Sequence, residues 1–180
     1  FTTDHGEYMG EHGLMEKNNL YESVYHIPCV ISMPWKNIQE RRCNTWINVV
    51  DFAPTLAGML GIPYPFKVQG KDLSTHLLEN RETEQVLYIH PSDVPRAGIL
   101  TPEFELAYVG KGWCEEEFHD HILFDMRKDP LQMTNVFGKP EYAKVQKMLT
   151  EKLKRHFEEI GTPKKFLPKE VWTVEEKDGN

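Results

Sequence analysis

The sequence predicts an α/β fold: a sheet-and-helix domain, then a small antiparallel sheet packed with a C-terminal helix. Three observations predict it. The run Tyr25–Trp35 is apolar and β-branched, which is typical of a short buried strand in a parallel or mixed sheet. A helix with clear start and stop signals follows this run. From residue 85 onward, short β-prone segments precede one long amphipathic helix.

The first helix is predicted from residues at its two ends. Asp51 can cap the helix, Pro54 falls in its first turn, and Gly61 lies just beyond its last turn. Apolar side chains recur between them at helical spacing. After a loop at 63–70, the segment Leu73–Leu78 is predicted as a short apolar turn or helix.

The second half of the chain predicts an antiparallel sheet and one surface helix. Strands are predicted at Gln85–Ile89, at Ile99–Gly110 with an interruption at Pro102, and at His121–Met126. The charged segment Trp113–Asp120 is predicted to be a hairpin connection. A helix is predicted at Pro140–Ile160, with an apolar stripe of Val145, Leu149, Leu153, Phe157 and Ile160. The residues after Gly161 are expected to lie extended over the surface or to be partly disordered.

Composition excludes several classes of function. The 180 residues include 21 Lys and Arg against 28 Asp and Glu, which gives a net charge of −7. This sign disfavours nonspecific binding to nucleic acid or to an anionic membrane surface. No apolar stretch approaches the roughly 18 residues of a membrane span. The cysteines Cys29, Cys43 and Cys114 show neither a disulfide-framework nor a CxxC spacing.

Asp4 and His5 are the first candidate site residues. They follow a predicted strand end, where adjacent side chains can turn toward one point, and a carboxylate with an imidazole suits a divalent cation. Two ligands do not complete a site, so the others must come from elsewhere. The alternative is that Asp4 caps a turn and His5 is a solvated loop histidine, and the pattern alone leaves both open.

Lys17 and His12 are the next candidates. Gly10 and Gly13 allow the chain to fold back, which could bring the Lys17 ammonium to the anion that the metal holds. The alternative is that Lys17 is simply solvated, as most lysines in such positions are. His12 could donate a proton or support the ligands, or it could be a loop histidine bonded to backbone.

The His119-Asp120-His121 spacing could place two imidazoles on one face of a strand, as in some zinc sites. No third ligand follows at a suggestive distance, so an exposed hairpin edge is preferred. The chain has no GxSxG, Walker A or GxGxxG pattern, and the esterase elbow and nucleotide cradles are therefore unsupported.

Four ordered blocks of sequence resemble the sulfatases of the alkaline phosphatase superfamily. They are FTTDHGEYMGEHGLMEKNNLYESVYHIPCVISMPW, NVVDFAPTLAGMLGIPYP, QGKDL and LFDMRKDPLQMTNV. The family counterparts run SDHGE-x-x-GEHGL-x-x-K with YE-x-S-x-R-x-P, then VDL-x-PTLL-x-LAGI-x-x-P, G-x-SL, and LYDL-x-x-DP-x-E-x-x-NL. The similarity extends to about Ile160.

The resemblance implies the C-terminal part of an alkaline-phosphatase-like sandwich, with domain limits at 1–92, 93–163 and a tail at 164–180. It implies sulfate ester hydrolysis with a divalent metal, expected to be calcium. The formylglycine nucleophile would lie outside this chain, because no cysteine here is followed by the C-x-P-S-R pattern. Phosphonate monoester or phosphodiester hydrolysis, and a noncatalytic fragment, are the alternatives.

The resemblance also implies roles for single residues. Asp4 matches a metal ligand, His5 matches a position that ligates the metal or touches the sulfate, and Lys17 matches the lysine that binds the sulfate and the bridging oxygen. Glu11 and His12 match positions that we assign to support of the loop.

The remaining expectations concern the substrate and two departures from the family pattern. His90, Arg96 and the Trp113 hairpin could border the substrate pocket. The expected partners are a sulfated small molecule or sugar and the remainder of a sulfatase chain. Export to the periplasm or medium is expected, with the cytoplasm as the alternative.

Two residues depart from the family pattern. His26 stands where the family often has Arg. Gln132 stands where the family usually has an acid, and this departure is interpreted as surface drift.

Overall fold

The computed structural model describes residues 1–17, 20–90, 95–110 and 120–173. The chain divides into two compact units, Phe1–Gln85 and Val86–Asn180. The described residues of the first unit form the α-helices α1 at Glu22–Tyr25, α2 at Val49–Leu60 and α3 at Ser74–Glu79. The second contains a four-stranded sheet and helix α4, at Ala143–Glu159.

The N-cap of helix α2 lies three residues before the predicted cap. Asn48 is the N-cap, and Asp51 stands at the third helical position, where its carboxylate accepts the Asn48 backbone N–H at 3.0 Å. The two residues form a capping box, which satisfies backbone donors that the first turn leaves free. The prediction that Asp51 is the N-cap was therefore wrong. The predicted end is confirmed, because Gly61 closes the helix with φ of 67°.

The Gly70–Leu73 turn covers one face of α2 through hydrogen bonds to its side chains. Lys71 N–H donates to Asp51 Oδ1 at 2.8 Å, and Leu73 N–H donates to the Thr55 hydroxyl at 3.0 Å. Met59 and Leu73 are buried here. This turn is held by particular polar groups of the helix.

Gly70 approaches a backbone oxygen of α2 directly. A Cβ on Gly70 would lie 1.8 Å from the carbonyl oxygen of Val50. Pro54 has no N–H to donate to this carbonyl four residues earlier. A glycine is therefore required where the turn crosses the helix.

The strand predicted at Tyr25–Trp35 is wrong among the described residues. Only an isolated antiparallel bridge joins Thr2 to Cys29 there. Val30 and Ile31 are 61% and 40% exposed. A strand exists by hydrogen bonding to neighbouring strands, and in the described part of the chain this apolar run pairs only with the Phe1–Thr2 segment.

The second unit is built on a meander of antiparallel strands in the order β1-β2-β3-β4. Their limits are Leu87–Ile89, Arg96–Leu100, Phe104–Val109 and Ile122–Asp125. The predicted strands are confirmed, and the Pro102 interruption is the turn between β2 and β3. Strand β1 falls within 1–92, the range that the sequence analysis assigned to the first domain. In the structure it pairs with β2 of the second unit. The predicted hairpin at 113–119 lies outside the described residues.

Helix α4 packs its predicted stripe on the sheet. Leu149, Leu153 and Phe157 are each at most 1% exposed and join a core with strand residues such as Ile99 and Leu106. The segment after the helix differs from the expectation. Leu167, which follows one short 3₁₀ turn, and Val171, which ends another, are buried in the same core, so residues 164–173 do not lie loosely on the surface.

A charged cluster anchors the turn after β4. Asp125 is 2% exposed and accepts two hydrogen bonds from Arg127, at 3.0 and 3.1 Å. Lys128 lies 3.4 Å from its second oxygen, and the Tyr142 hydroxyl donates to that oxygen. The hydrogen bonds from Arg127, with the charge of Lys128, hold the pKa of Asp125 below its usual value.

Gln132 is a structural residue, so its interpretation as surface drift was wrong. It is 4% exposed, adopts a left-handed φ of 56°, and its amide donates to the carboxylate of Glu105 on β3, which is 1% exposed. An amide donates a hydrogen bond to one oxygen of this buried carboxylate without adding a like charge.

Candidate functional site

Asp4 and His5 lie on a segment that is anchored at both ends. Upstream, Phe1 and Val30 exchange backbone hydrogen bonds. Downstream, Gly6 N–H donates to the carbonyl of Val24 at 2.7 Å. A Cβ on Gly6 would lie 1.9 Å from the carbonyl oxygen of Ser23, so only glycine permits this approach to α1.

The Asp4 carboxylate is exposed and held locally. Its Oδ1 accepts hydrogen bonds from the His5 backbone N–H, at 3.1 Å, and from the Thr3 hydroxyl, at 3.3 Å. Hydrogen bonding to its own backbone N–H, and then the nearby His5 ring, lower its pKa. The group is therefore a carboxylate near neutral pH, which is the form that binds a cation.

The His5 ring is oriented by one backbone oxygen. Its Nδ1 lies 2.6 Å from the Gly6 carbonyl oxygen, which can only accept, so Nδ1 carries the proton. In the neutral ring, Nε2 then has a free lone pair, and Nε2 lies 3.8 Å from Asp4 Oδ2. The two sequence-predicted ligands are thus adjacent, with their acceptor atoms close enough to reach one ion.

A hairpin joins this segment to Lys17. Tyr8 N–H donates to the Glu16 carbonyl at 3.0 Å, and Gly10 N–H donates to the Leu14 carbonyl at 2.9 Å. Gly10 and Gly13 have φ of 97° and 71°, so the chain folds back at the glycines as expected. Lys17 follows Glu16 directly and is exposed. Its contact with an anion stays a prediction.

His12 and Glu11 lie at the tip of this hairpin. The His12 ring stacks on Tyr21, with centroids 4.1 Å apart and planes 18° apart, and Tyr21 meets the buried Tyr8 edge-on. Aromatic packing therefore holds His12, where the sequence suggested a backbone hydrogen bond. Glu11 is exposed at the start of the 3₁₀ turn. This geometry is compatible with support of the loop.

His90 and Arg96 belong to the second unit. His90 Nδ1 donates to the Arg96 carbonyl oxygen at 3.0 Å, and its ring meets Phe157 edge-on. The Arg96 side chain is buried, with 1% of the residue exposed. The Trp113 segment lies outside the described residues, so the predicted pocket border stays a prediction.

His121 is part of the packing of the second unit. Its Nδ1 accepts the Val109 backbone N–H at 3.1 Å, so Nε2 carries the proton of the neutral ring and faces Glu170 at 3.9 Å. Tyr108 and Phe137 pack around the ring, and burial lowers its pKa. The expected exposed edge was wrong for His121, and His119 lies outside the described residues.

Asp4 and His5 supply part of a metal site. Across residues 1–17, 20–90, 95–110 and 120–173, no cluster of three or more His, Cys, Asp or Glu side chains could hold an ion. The Asp4 carboxylate suits calcium, whereas the His5 imidazole is a ligand more typical of manganese or zinc, and a divalent cation takes four to eight ligands. Further ligands must come from beyond this donor pair.

Comparison with known proteins gives a consistent result. A family model described as N-sulphoglucosamine sulphohydrolase, C-terminal, matches residues 10–159. The N-acetylglucosamine-6-O-sulfatase of Bacteroides thetaiotaomicron is 34% identical over 166 residues, which cover 85% of this chain and 28% of that protein. This chain therefore spans less than a third of that relative.

Two solved structures share the fold. The crystal structure described as sulfatase yidJ of Bacteroides fragilis has a TM-score of 0.77 at 27% identity, covering 93% of this chain and 37% of that one. A structure in complex with its substrate, D-glucosamine-2-N,6-O-disulfate, has a TM-score of 0.69 at 28% identity, covering 89% and 34%. No helix among the described residues is long and apolar enough to cross a membrane.

Proposed function

Because this chain belongs to the sulfatase family, as a C-terminal portion, we propose that the protein hydrolyses sulfate esters and that Asp4, His5 and Lys17 contribute to its active site. The family implies a metal and a formylglycine in general terms. For this protein we propose calcium, held in part by Asp4 and His5. We also propose that the nucleophile comes from sequence other than these 180 residues.

The orientation of His5 carries this proposal. The Gly6 carbonyl holds the proton on Nδ1, so neutral His5 offers Nε2 as a lone pair beside the Asp4 carboxylate. A lone pair can ligate a metal, whereas a hydrogen bond to a sulfate oxygen would need a proton on Nε2. We therefore assign His5 to the metal and leave contact with the sulfate to Lys17.

Each residue then has a defined chemical task. A bound cation would withdraw charge from the sulfuryl oxygens. Asp4 contributes a negative oxygen ligand and His5 a neutral nitrogen ligand. Lys17 contributes a fixed positive charge near the leaving oxygen, where negative charge develops in the transition state. Loss of one such contact typically slows turnover about 10²–10³-fold.

We propose a sulfated sugar as the substrate class. Support comes from the relative described as an N-acetylglucosamine-6-O-sulfatase and from the similar structure bound to a disulfated glucosamine. The charge of the chain agrees with a localised anion site, because a net charge of −7 gives no overall attraction for a sulfated ligand.

The activity test uses the protein expressed from its whole gene. A sulfate monoester and a phosphate diester of the same phenol are compared by kcat/KM, for the wild type and for Lys17→Ala. Lys36→Ala is the matched control, because Lys36 is also an exposed lysine of the first unit. We expect the wild type to have a higher kcat/KM for the sulfate monoester than for the phosphate diester. The kcat/KM for the sulfate monoester should fall about 10²–10³-fold in Lys17→Ala and stay unchanged in Lys36→Ala.

The other outcomes separate the alternatives. Preferential cleavage of the diester would favour a phosphonate or phosphodiester hydrolase. Turnover of neither ester nor of a 6-sulfated glucosamine would favour a noncatalytic protein. Equal rates for Lys17→Ala and Lys36→Ala would remove Lys17 from the site.

The metal test is independent of turnover. Calcium bound per protein is measured by equilibrium dialysis and elemental analysis, for the wild type, Asp4→Asn and His5→Ala. Both variants should lose most of the bound calcium, with His26→Ala as the histidine control that retains it, because the His26 side chain is 71% exposed. Calcium retained by His5→Ala would contradict the assignment of His5 to the metal.

A further inference from the structure

The hairpin that leads to Lys17 has a backbone that other groups must hold in place. Met9, His12 and Glu16 adopt left-handed φ of 49°, 54° and 63°. Residues with a Cβ disfavour this conformation, and it persists where surrounding contacts impose it. Glu16 directly precedes Lys17, so its φ helps to set the direction in which the chain presents the lysine. The place of Lys17 therefore depends on what holds this hairpin.

Tyr21 contacts the hairpin through two rings. It stacks on His12 with centroids 4.1 Å apart and planes 18° apart, and it meets Tyr8 edge-on with centroids 6.0 Å apart. Stacked and edge-to-face ring pairs stabilise a contact beyond the area that they bury. Tyr8 N–H in turn donates to the Glu16 carbonyl at 3.0 Å. Tyr8, His12 and Tyr21, which we call the ring clasp, therefore reach from the tip of the hairpin to the residue before Lys17.

The helix that begins after Tyr21 also holds the segment of the proposed metal ligands. Tyr21 is the N-cap residue of α1. Val24 of this helix accepts the Gly6 N–H at 2.7 Å, and Gly6 directly follows His5. One short helix is thus attached both to the segment of the ligands and to the hairpin that leads to Lys17.

We propose that the ring clasp positions Lys17: by fixing the hairpin on α1, it sets the place of the lysine amine relative to Asp4 and His5. The inference rests on the proposed function, because the clasp acts through Lys17. His12 contributes the face of its ring and transfers no proton. Placement matters for a charge at the leaving oxygen, since a displacement of about 1 Å can slow a reaction about 10²-fold.

The test removes single rings from the clasp in the protein expressed from its whole gene. His12→Asn removes one ring and keeps a residue type that adopts a left-handed φ comparatively readily. Tyr21→Leu removes the central ring, and Tyr21→Phe retains it. Tyr64→Leu is the matched control, because Tyr64 packs edge-on against Phe66 in the same unit, with centroids 5.8 Å apart. Each variant is also combined with Lys17→Ala, and His12→Asn keeps the test available if Tyr21→Leu does not fold.

Two measurements separate positioning from other roles. Hydrogen exchange of the peptide covering residues 6–17 reads the clasp without turnover, and it should be about 2–10-fold faster in His12→Asn and Tyr21→Leu. In the same two variants, kcat for the sulfate monoester should fall about tenfold or more with KM little changed, because Lys17 acts in the transition state. Tyr21→Phe and Tyr64→Leu should match the wild type in both measurements. In the Lys17→Ala background the ring substitutions should cause no further loss of kcat.

Several results would overturn the inference. A further loss of kcat in the Lys17→Ala background would show that the clasp acts on another group. Loss of activity in His12→Asn with normal activity in Tyr21→Leu would give His12 a chemical role of its own. Unchanged exchange, or faster exchange with unchanged kcat, would also contradict it.

Failure of the proposed function gives a different result. Wild-type kcat/KM in Lys17→Ala would refute the role of Lys17 in the active site. An impaired Lys17→Ala beside fully active His12→Asn and Tyr21→Leu would refute the ring clasp alone.

Discussion

Gly6→Ala is predicted to loosen the segment that presents Asp4 and His5. The added Cβ would lie 1.9 Å from the Ser23 carbonyl oxygen and 3.2 Å from the Val24 Cα. These obstructing atoms are backbone, so no side-chain rotation can relieve the overlap. The segment must move away from α1, which breaks the 2.7 Å hydrogen bond from Gly6 N–H to the Val24 carbonyl.

The magnitude follows from these two effects. Overpacking of this kind costs about 1–3 kcal/mol, and the lost backbone hydrogen bond costs about 0.5–1.5 kcal/mol. Together they predict a loss of about 1.5–4.5 kcal/mol in local stability. The Gly6 carbonyl also orients His5, so calcium affinity should fall about 10–100-fold, as for other groups that orient metal ligands.

The assay is hydrogen exchange followed by mass spectrometry for the peptide covering residues 1–17, together with calcium titration. Gly13→Ala is the control, because Gly13 has a positive φ of 71° but a Cβ there meets no atom within 4 Å. The control should show only the strain of a left-handed residue, about 1–2 kcal/mol. Exchange and calcium affinity unchanged in Gly6→Ala, or changed no more than in Gly13→Ala, would refute the reasoning.

Three further predictions concern stability and are read by urea unfolding. Asp125→Asn should lose about 1.5 kcal/mol at pH 7, the low end for a hydrogen bond to a charged group because Arg127 is half-exposed. Because the pKa of Asp125 is lowered in the folded protein, its carboxylate stabilises the fold fully above about pH 4, and this stabilisation is lost as the pH falls further. A stability difference between the wild type and Asp125→Asn that is as large at pH 2.5 as at pH 7 would contradict this. Gln132→Glu should lose about 1.5–3 kcal/mol at pH 7, with recovery in mild acid, because it sets a second carboxylate against buried Glu105. Gly70→Ala should lose about 1–3 kcal/mol, since the Cβ meets a backbone oxygen, and wild-type stability would exclude the close approach described here.

The candidate site was predictable in its residues but not in its detailed geometry. Adjacency in sequence brought Asp4 and His5 together, and glycine spacing predicted the fold-back before Lys17. The tautomer of His5 depends on the Gly6 carbonyl, which no pattern of residue types reveals. The stacking of His12 on Tyr21 joins residues nine positions apart through a folded loop, and the sequence pattern alone did not predict it.

The wrong predictions share a cause. Tyr25–Trp35 has the composition of a buried strand, but its hydrogen-bonding neighbours are not within the described chain apart from the Phe1–Thr2 segment. Gln132 follows a surface-type turn, and only the folded sheet brings Glu105 to it. A residue pattern predicts which side chains of a segment can be buried. It does not predict which other segments pack against them in the folded protein.

By itself, the sequence determined the features that depend on neighbours a few residues apart. These include helix α4, whose Leu149, Leu153 and Phe157 share one face by helical periodicity, and the end of α2 at Gly61, where a left-handed residue is needed. The family was also readable from ordered motifs. Only the tertiary structure decided which polar groups are buried and which atoms pair across the fold. The reason is that desolvation and hydrogen bonding at Asp125, Gln132 and His5 depend on groups brought close by the folded backbone, and their strength falls away within a few ångströms.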